Sequence, residues 1–389
     1  MKGFKFNGIS AGIKKNGERD LGIIYSEKAA CAAAVFTKNI VTAAPVILGQ
    51  EKIKAGFCQA VIVNSGNANC FTGKKGMEHA IMTSKFAAKS LNIPENLIMV
   101  SSTGVIGEPL PIQKIKNGIL KLTRDLNSNS LDNFAESILT TDLSKKIIAE
   151  KFKINGKEFS IIGVAKGSGM IKPDMATMLA FICTDLDISS LLLNSCLKKS
   201  CDSSFNRISV DGDTSTNDTV LILANGMSSV RIKNNDDCIK FQKILDGISQ
   251  RLAKMIVKDG EGATKFVKII VKGAGSCKDA FKVAETISNS NLVKTAIYGE
   301  DPNWGRIIAA AGRAGATINP EKIDLIFDDI SVVKQGIWQG ENAEKKAAIY
   351  MKNNEIKIIL NLNIGKATDF FMFCDFSENY VKINADYRT

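Results

Sequence analysis

Short apolar runs alternate with longer amphipathic stretches along the chain, and this pattern predicts strands separated by helices. In the first half, residues 58–65 and 96–102 have the pattern of buried strands, and residues 113–126 that of a helix. Asn155 and Gly156 lie between two strand-like stretches, and this dipeptide is typical of a hairpin with a type I′ turn. The alternation predicts an α/β fold.

The second half of the chain continues the same alternation. Strands are predicted over residues 178–186, 219–226, 264–275, 322–333 (a strand pair), 355–365 and 370–386, and helices over residues 189–204, 237–257, 293–299, 304–315 and 344–352. No linker of biased composition and no fixed-period repeat interrupts the pattern. We place a domain boundary near residue 286, which gives a larger domain of residues 1–285 and a smaller one of residues 286–389.

Composition and charge are those of an ordinary globular protein. Of 389 residues, 45% are hydrophobic and 23% are charged. The net charge of +11 does not favour a nucleic-acid partner, because the lysines are dispersed and no basic stripe is interleaved with aromatic residues; a basic surface would instead steer anionic amino-acid substrates. The N-terminus lacks a signal-peptide core and no stretch of about 18 residues is apolar throughout, so we expect a cytoplasmic protein without a membrane segment.

Cysteine and histidine usage limits the chemistry that the chain can perform. The nine cysteines form no CxxC pair and are odd in number, so we expect reduced packing residues rather than a disulfide framework. The single histidine, His79, lies in a stretch with helical spacing, where packing is its ordinary role. No metal site and no cofactor is predicted, and the chemistry falls to hydroxyl, amine, amide and carboxylate groups.

The most informative segment is KGSGMIKPDMATMLAF, residues 166–181, in which Thr177 precedes an apolar run. Cleavage between Ala176 and Thr177 would free an α-amine with a pKa of about 7.7–8.0, a base attached to the same residue as the nucleophilic hydroxyl. Gly167 and Gly169 permit backbone angles closed to other residues, which suits a self-cleaving bond. Taken alone, the spacing also fits a glycine-containing loop that leads into a buried strand.

The segment KGSGMIKPDMATML resembles, nearly position for position, the processing-site motif of the ornithine acetyltransferase family. Further segments in the same order are similar to that family: NSGNAN at 64–69, SSTGVIG at 101–107, TTD at 140–142, DGDTSTND at 211–218, DGEGATK at 259–265, GEDPNWGRI at 299–307 and NADYRT at 384–389. Together these segments span most of the chain. One departure is local: after Asp142 the chain continues Leu-Ser-Lys-Lys, where members of the family often have a threonine and a proline before the lysine.

The resemblance implies roles for individual residues. Thr177 would be the nucleophile and, through its freed amine, the base, after cleavage of the Ala176–Thr177 bond. Thr103 and Gly104 would form the oxyanion hole. Substrate contacts would fall on Thr140, Lys166, Thr177, Glu261, Asn384 and Thr389. From the residues alone, other interpretations stay open: a strand-to-loop turn for Thr103 and Gly104, a helix cap for Thr140, solvated charges for Lys166 and Glu261, and a frayed tail for Asn384 and Thr389.

The resemblance also implies a fold, an activity and an assembly. The expected fold is a layered α/β sandwich of the self-processing aminopeptidase and ornithine acetyltransferase type, with a smaller α/β C-terminal domain. The expected enzyme transfers an acetyl group from N2-acetylornithine to glutamate in arginine biosynthesis, as a heterotetramer of two chains 1–176 and two chains 177–389. Whether acetyl-CoA is a second donor stays open. A self-processing aminopeptidase or amidase is the alternative enzyme, and a non-catalytic binding protein is the other alternative.

Overall fold

The structure is a computed structural model that describes residues 1–172 and 178–385. The chain folds into two compact units. The first unit comprises the described residues of Met1–Gly167, Asp174–Asn206 and Asp213–Ile256, and the second those of Ser168–Pro173, Arg207–Gly212 and Val257–Thr389. The fold class predicted from the sequence is confirmed, because each unit combines a β-sheet with helices.

The first unit is built on an eight-stranded mixed sheet. Its strands, numbered along the whole chain, are β1 Phe4–Ile9, β2 Leu21–Phe36, β3 Phe57–Asn67, β4 Ile98–Val105, β5 Lys146–Ile154, β6 Lys157–Lys166, β7 Leu179–Thr184 and β9 Thr219–Ala224. Their order is β4-β3-β2-β9-β7-β6-β5, with β1 paired to β2. The central strands β7 and β9 pair in parallel and are buried along their whole length, which explains their continuous apolar sequences.

The long strand β2 bends this sheet back on itself. Its first half pairs with β3 and its second half with β9, and the register shifts between Tyr25 and Ala30. The ring of Phe134 lies 6.3 Å from Phe6 on β1 and 5.7 Å from Phe181 on β7. One arm of the bent sheet contains β1, β3 and β4, and the other contains β5, β6, β7 and β9. The two arms therefore face each other across a shared apolar core.

Helices cover the faces of the bent sheet. They are α1 Ala44–Lys52, α2 Gly73–Leu91, α3 Ile112–Leu122, α4 Leu131–Ser137, α5 Ser190–Asp202 and α6 Asn235–Lys258. Residues of α2 and α3 share an apolar cluster with β3 and β4. On the opposite arm α6 approaches β6 so closely that a Cβ at Gly163 would lie 2.8 Å from Leu252 Cδ1. This is the layered sandwich predicted from the sequence.

The second unit has its own sheet and apolar core. Its strands are β8 Ile208–Ser209, β10 Phe266–Ala274, β11 Asp324–Phe327, β12 Ile330–Lys334, β13 Ile337–Trp338, β14 Glu355–Asn361 and β15 Ala367–Cys374, in the order β13-β12-β11-β14-β10-β15-β8, and its helices are α7 Cys277–Ser288, α8 Asn291–Tyr298, α9 Trp304–Gly312, α10 Glu341–Tyr350 and α11 Glu378–Ala385. The boundary expected near residue 286 falls inside α7. The longest segment of the unit begins earlier, at Val257, and it includes β10, which lies between β14 and β15.

Local predictions had mixed outcomes. The hairpin of β5 and β6 is confirmed, and Asn155 and Gly156 have the positive φ angles, 51° and 76°, of a type I′ turn. The strand predicted over residues 370–386 is wrong in its second half, because β15 ends at Cys374 and α11 begins at Glu378. The alternating Val381 and Ile383 of that half are exposed and therefore did not mark a buried strand face.

The structure also bears on the expectations for the cysteines and for His79. All nine cysteines are free thiols, and six of them are buried. His79 lies on α2, as the helical spacing predicted. Within the described residues, none of the helices has both the length and the apolar content needed to cross a bilayer.

Candidate active site

Thr103 and Gly104 lie at the carboxyl end of β4, inside the strand rather than after it. There β4 pairs in parallel with β3, and Gly104 faces Gly66. Gly104 has a φ of +130°, and a Cβ at this position would lie 2.4 Å from the carbonyl carbon of Gly66. Only glycine fits at this position of the strand, so the backbone conformation here is fixed by sequence.

Lys166 brings three of the predicted site residues together. It is the last residue of β6 and is 3% exposed. Its Nζ donates to Thr140 Oγ1 at 2.7 Å and to Thr103 Oγ1 at 3.4 Å. Four strands separate β6 from β4 in the sheet order, and the bend in β2 is what makes this contact possible.

A buried carboxylate, Asp142, pairs with two lysines beside these hydroxyls. Asp142 Oδ1 accepts from Lys146 Nζ at 2.7 Å, and Asp142 Oδ2 lies 3.6 Å from Lys166 Nζ. Burial by itself would raise the pKa of Asp142, but the charges of Lys166 and Lys146 outweigh it and hold the pKa below its usual value. Asp142 is therefore ionised at neutral pH.

The same carboxylate also fixes the backbone around the predicted substrate residues. Asp142 Oδ1 accepts from the amide of Gly167 at 2.6 Å, and Asp142 Oδ2 accepts from the amide of Thr140 at 3.1 Å. The loop where the sequence departs from the family pattern is held by Lys146, whose ammonium also donates to the carbonyl of Ser144. The ammonium of Lys166 thus has a defined position.

The strand that follows the predicted nucleophile begins next to Lys166. In the β6–β7 ladder Lys166 pairs with Leu179. The amide of Met178 donates to Asp218 Oδ1 at 2.9 Å, and burial raises the pKa of Asp218 well above its usual range. The predicted cleavage residues Ala176 and Thr177 lie outside the described residues.

The buried side-chain amide of Asn217 connects the carboxyl ends of β3 and β4 by hydrogen bonds. Its Nδ2 donates to the carbonyl of Ala68 at 2.6 Å and to the carbonyl of Ser102 at 2.9 Å. The hydroxyl of Ser102 in turn donates to Asn64 Oδ1 at 2.6 Å. The residue before Thr103 is therefore anchored through both its side chain and its carbonyl.

Two predicted substrate residues meet in the second unit. Asn384 on α11 donates from Nδ2 to Glu261 Oε2 at 2.9 Å. Glu261 lies in a close-packed loop, since a Cβ at Gly169 would lie 2.3 Å from its carboxylate and a Cβ at Gly262 would lie 2.5 Å from the amide of Tyr380. The last predicted contact, Thr389, lies outside the described residues.

The arrangement in the first unit suits the binding of negative charge. An ammonium and two hydroxyls converge there, and such donors stabilise a carboxylate or the oxyanion of acyl transfer. The residues 1–172 and 178–385 form no group of three or more His, Cys, Asp or Glu side chains placed for a metal ion.

Sequence reasoning assigned no role to Asp142, Lys146, Asn217 or Asp218. All but Lys146 lie in the segments TTD and DGDTSTND, which the resemblance had already marked. Charged and amide side chains in such polar segments are ordinarily solvated, and nothing in the sequence distinguishes a buried carboxylate from an exposed one.

Known proteins resemble this chain over its whole length. Residues 5–389 match the ArgJ family. The chain is 46% identical to the arginine biosynthesis bifunctional protein ArgJ of Geobacter sulfurreducens, over 100% of each chain, and 48% identical to the glutamate N-acetyltransferase of Methanocaldococcus jannaschii, over 100% of this chain and 97% of that one. A crystal structure of the arginine biosynthesis bifunctional protein ArgJ from Bacillus halodurans matches 53% of this chain and 97% of its own, with 42% identity and a TM-score of 0.51.

Proposed function

The chain belongs to the ArgJ family, and we propose that it transfers the acetyl group of N2-acetylornithine to glutamate through an acetyl ester on Thr177. It is an acetyltransferase of arginine biosynthesis, like the relatives named above. The observation that carries the proposed mechanism is the contact of Lys166 Nζ with Thr103 and Thr140. This contact brings three hydrogen-bond donors together, and Lys166 pairs across the sheet with Leu179, two residues after the proposed nucleophile.

Self-cleavage is the first proposed step. The hydroxyl oxygen of Thr177 attacks the carbonyl carbon of Ala176, the C–N bond between the two residues breaks, and the nitrogen leaves as the α-amine of Thr177 with a proton. Water then hydrolyses the resulting ester, which gives the carboxylate of Ala176 and restores the hydroxyl. The products are chains 1–176 and 177–389.

Acetyl transfer then uses the same hydroxyl. Thr177 attacks the acetyl carbonyl of N2-acetylornithine, its α-amine takes the hydroxyl proton, and Thr103 with Gly104 stabilises the oxyanion. Ornithine leaves with a proton on its α-nitrogen. The α-amine of glutamate attacks the acetyl ester next, which releases N-acetylglutamate and regenerates Thr177. Charge neutralisation of a substrate carboxylate is assigned to Lys166.

Thr103→Val tests the oxyanion role with little change of shape. We expect kcat to fall about 100- to 1000-fold, because one preorganised donor is lost where negative charge develops. Thr103→Ser keeps the hydroxyl and serves as the matched control, with kcat close to wild type. A Thr103→Val enzyme within threefold of the wild-type kcat would remove Thr103 from the mechanism.

Substrate contacts are also proposed for three residues of the second unit. Glu261, Asn384 and Thr389 are assigned to the substrate, with the Glu261 carboxylate suited to an ammonium group. The support is the 2.9 Å hydrogen bond between Asn384 and Glu261, which gives that carboxylate a fixed orientation.

The proposed assembly is two copies of each product chain. The Bacillus halodurans crystal chain supports products shorter than the whole chain, because 97% of that chain matches only 53% of ours. We place the enzyme in the cytoplasm. Its nine free cysteines are compatible with a reducing compartment.

The activity is tested by incubating purified enzyme with N2-acetylornithine, with and without glutamate. Ornithine and N-acetylglutamate in equal amounts are expected with glutamate. Release of acetate at the same rate without glutamate would contradict transfer and indicate an amidase. The names of the relatives differ in whether the enzyme is bifunctional, so a parallel assay with acetyl-CoA and glutamate decides whether this chain uses the second donor.

A further inference from the structure

The segment DGDTSTND, residues 211–218, carries two carboxylates that bind backbone on either side of the proposed cleavage site in the sequence. In the second unit, Asp211 Oδ2 accepts from the amide of Met170 at 2.5 Å, and Asp211 Oδ1 accepts from the amide of Ile171 at 2.8 Å. The amide of Val210 also donates to the carbonyl of Ile171. The chain that leads to Ala176 is thus held at two consecutive amides and one carbonyl.

In the first unit, Asp218 holds the residue that follows the proposed nucleophile. Asp218 is 1% exposed, and its Oδ1 accepts from the amide of Met178 at 2.9 Å. The amide of Thr219 donates to the carbonyl of Met178 at 3.2 Å. Both backbone polar groups of Met178 are therefore fixed, and the amide nitrogen of Met178 is bonded covalently to the carbonyl carbon of Thr177.

The neighbouring Asn217 binds the strand end that carries the proposed oxyanion hole. Asn217 Nδ2 donates to the carbonyls of Ala68 and Ser102, and Ser102 directly precedes Thr103. Two adjacent residues of the segment 211–218 therefore hold the backbone next to Thr103 and the backbone next to Thr177, both within the first unit.

We propose that Asp211 and Asp218 are positioning residues for self-cleavage, with Asp211 fixing the chain before the Ala176–Thr177 bond and Asp218 fixing it after that bond. Attack of a hydroxyl on the preceding carbonyl requires a backbone geometry that an unrestrained chain adopts only rarely. Each anchor restricts the chain within its own unit and on its own side of the bond, and so raises the rate of the reaction. This inference rests on the proposed self-cleavage before Thr177.

The two carboxylates differ in the conservative substitution that should preserve their function. Burial raises the pKa of Asp218, so its Oδ1 acts as a hydrogen-bond acceptor that an asparagine oxygen replaces. Asp211 uses both of its oxygens as acceptors, and asparagine offers only one. Asp218→Asn is therefore the rescue variant, and Asp211→Asn should be intermediate between wild type and Asp211→Ala.

The experiment measures how fast the full-length chain is converted to its two products, by denaturing electrophoresis and intact mass. The variants are Asp211→Ala, Asp211→Asn, Asp218→Ala and Asp218→Asn, with Asp236→Ala as a control in an exposed carboxylate at the start of α6. We expect each alanine variant at Asp211 and Asp218 to cleave at least about 10-fold more slowly than wild type, with Asp218→Asn within threefold and Asp236→Ala unchanged.

Folding and function are separated by further readouts. Circular dichroism and the thermal midpoint identify folded variants, and the less buried Asp211 provides the result if Asp218→Ala does not fold. Folded alanine variants that cleave at the wild-type rate would overturn the inference and leave the proposed function intact. Asp218→Asn as slow as a folded Asp218→Ala would overturn the acceptor role of Asp218. A wild-type chain that is active but never cleaved would contradict the proposed function itself.

Discussion

Thr177→Ala is expected to give a single full-length chain that transfers no acetyl group, whereas the wild-type enzyme gives two product chains and is active. The alanine variant lacks the hydroxyl for self-cleavage, so it also never acquires the free α-amine that would serve as base. The loss of self-cleavage and the loss of acetyl transfer both follow from removal of the hydroxyl oxygen. Denaturing electrophoresis and the N2-acetylornithine–glutamate assay measure the two effects on the same sample.

Two other substitutions at Thr177 provide the controls. Thr177→Val keeps the branched shape without the hydroxyl and should behave like the alanine variant. Thr177→Ser keeps a hydroxyl next to the scissile bond and should be cleaved and active, at a lower rate. A Thr177→Val chain that cleaves itself at the wild-type rate would refute the assignment of the nucleophile.

Asp142→Ala is expected to lower the free energy of unfolding by about 3–5 kcal/mol, because removal of one partner leaves buried charge uncompensated. Asp142 contacts Lys146 and Lys166 and accepts from the amide of Gly167, all in the interior of the first unit. Urea unfolding measures the loss. Transfer activity should fall as well, since Lys166 and Thr140 lose the group that orients them.

Asp132→Ala is the matched control for this destabilisation. Asp132 also pairs with a lysine, Lys145, at 2.8 Å, but its side chain is 66% exposed. Surface ion pairs contribute about 0–1 kcal/mol, so this variant should unfold close to wild type. Equal destabilisation by Asp132→Ala and Asp142→Ala would contradict the role given to the buried network.

The stabilisation by Asp142 should depend on pH with a definite sign. The folded-state pKa of Asp142 is lowered, so its contribution is present in full above the unfolded value of about 3.9 and is lost as pH falls through the folded pKa. The stability difference between wild type and Asp142→Asn should therefore be constant from pH 5 to 7 and shrink in more acidic solution. A difference that grows on acidification would contradict this account.

Local sequence patterns predicted most elements of the fold, because short-range physics determines them. The dipeptide Asn155-Gly156 fixed a turn that needs two positive φ angles, and the unbroken apolar sequences of β7 and β9 marked strands buried on both faces. The helix α11 was missed because its β-branched residues Val381 and Ile383 alternate as in a strand. The helix packs instead against the loop of Glu261. Contacts between residues so far apart in sequence cannot be predicted from a short stretch of the chain.

The candidate site was only partly accessible from sequence. Resemblance identified Thr103, Thr140 and Lys166, but their convergence depends on the bend in β2, which no local pattern predicts. The buried partners Asp142 and Asp218 were missed because charged side chains in short polar segments normally lie in solvent. Their burial follows from the closure of the whole sheet.

The most direct test of the account is mass spectrometry of the enzyme after incubation with N2-acetylornithine alone, quenched in acid and digested. One acetyl group is expected on the peptide that begins at Thr177. Hydroxylamine should release it, as it releases an ester, and it should be absent when glutamate is added before the quench. An active enzyme that yields no acetylated peptide beginning at Thr177 would contradict the account.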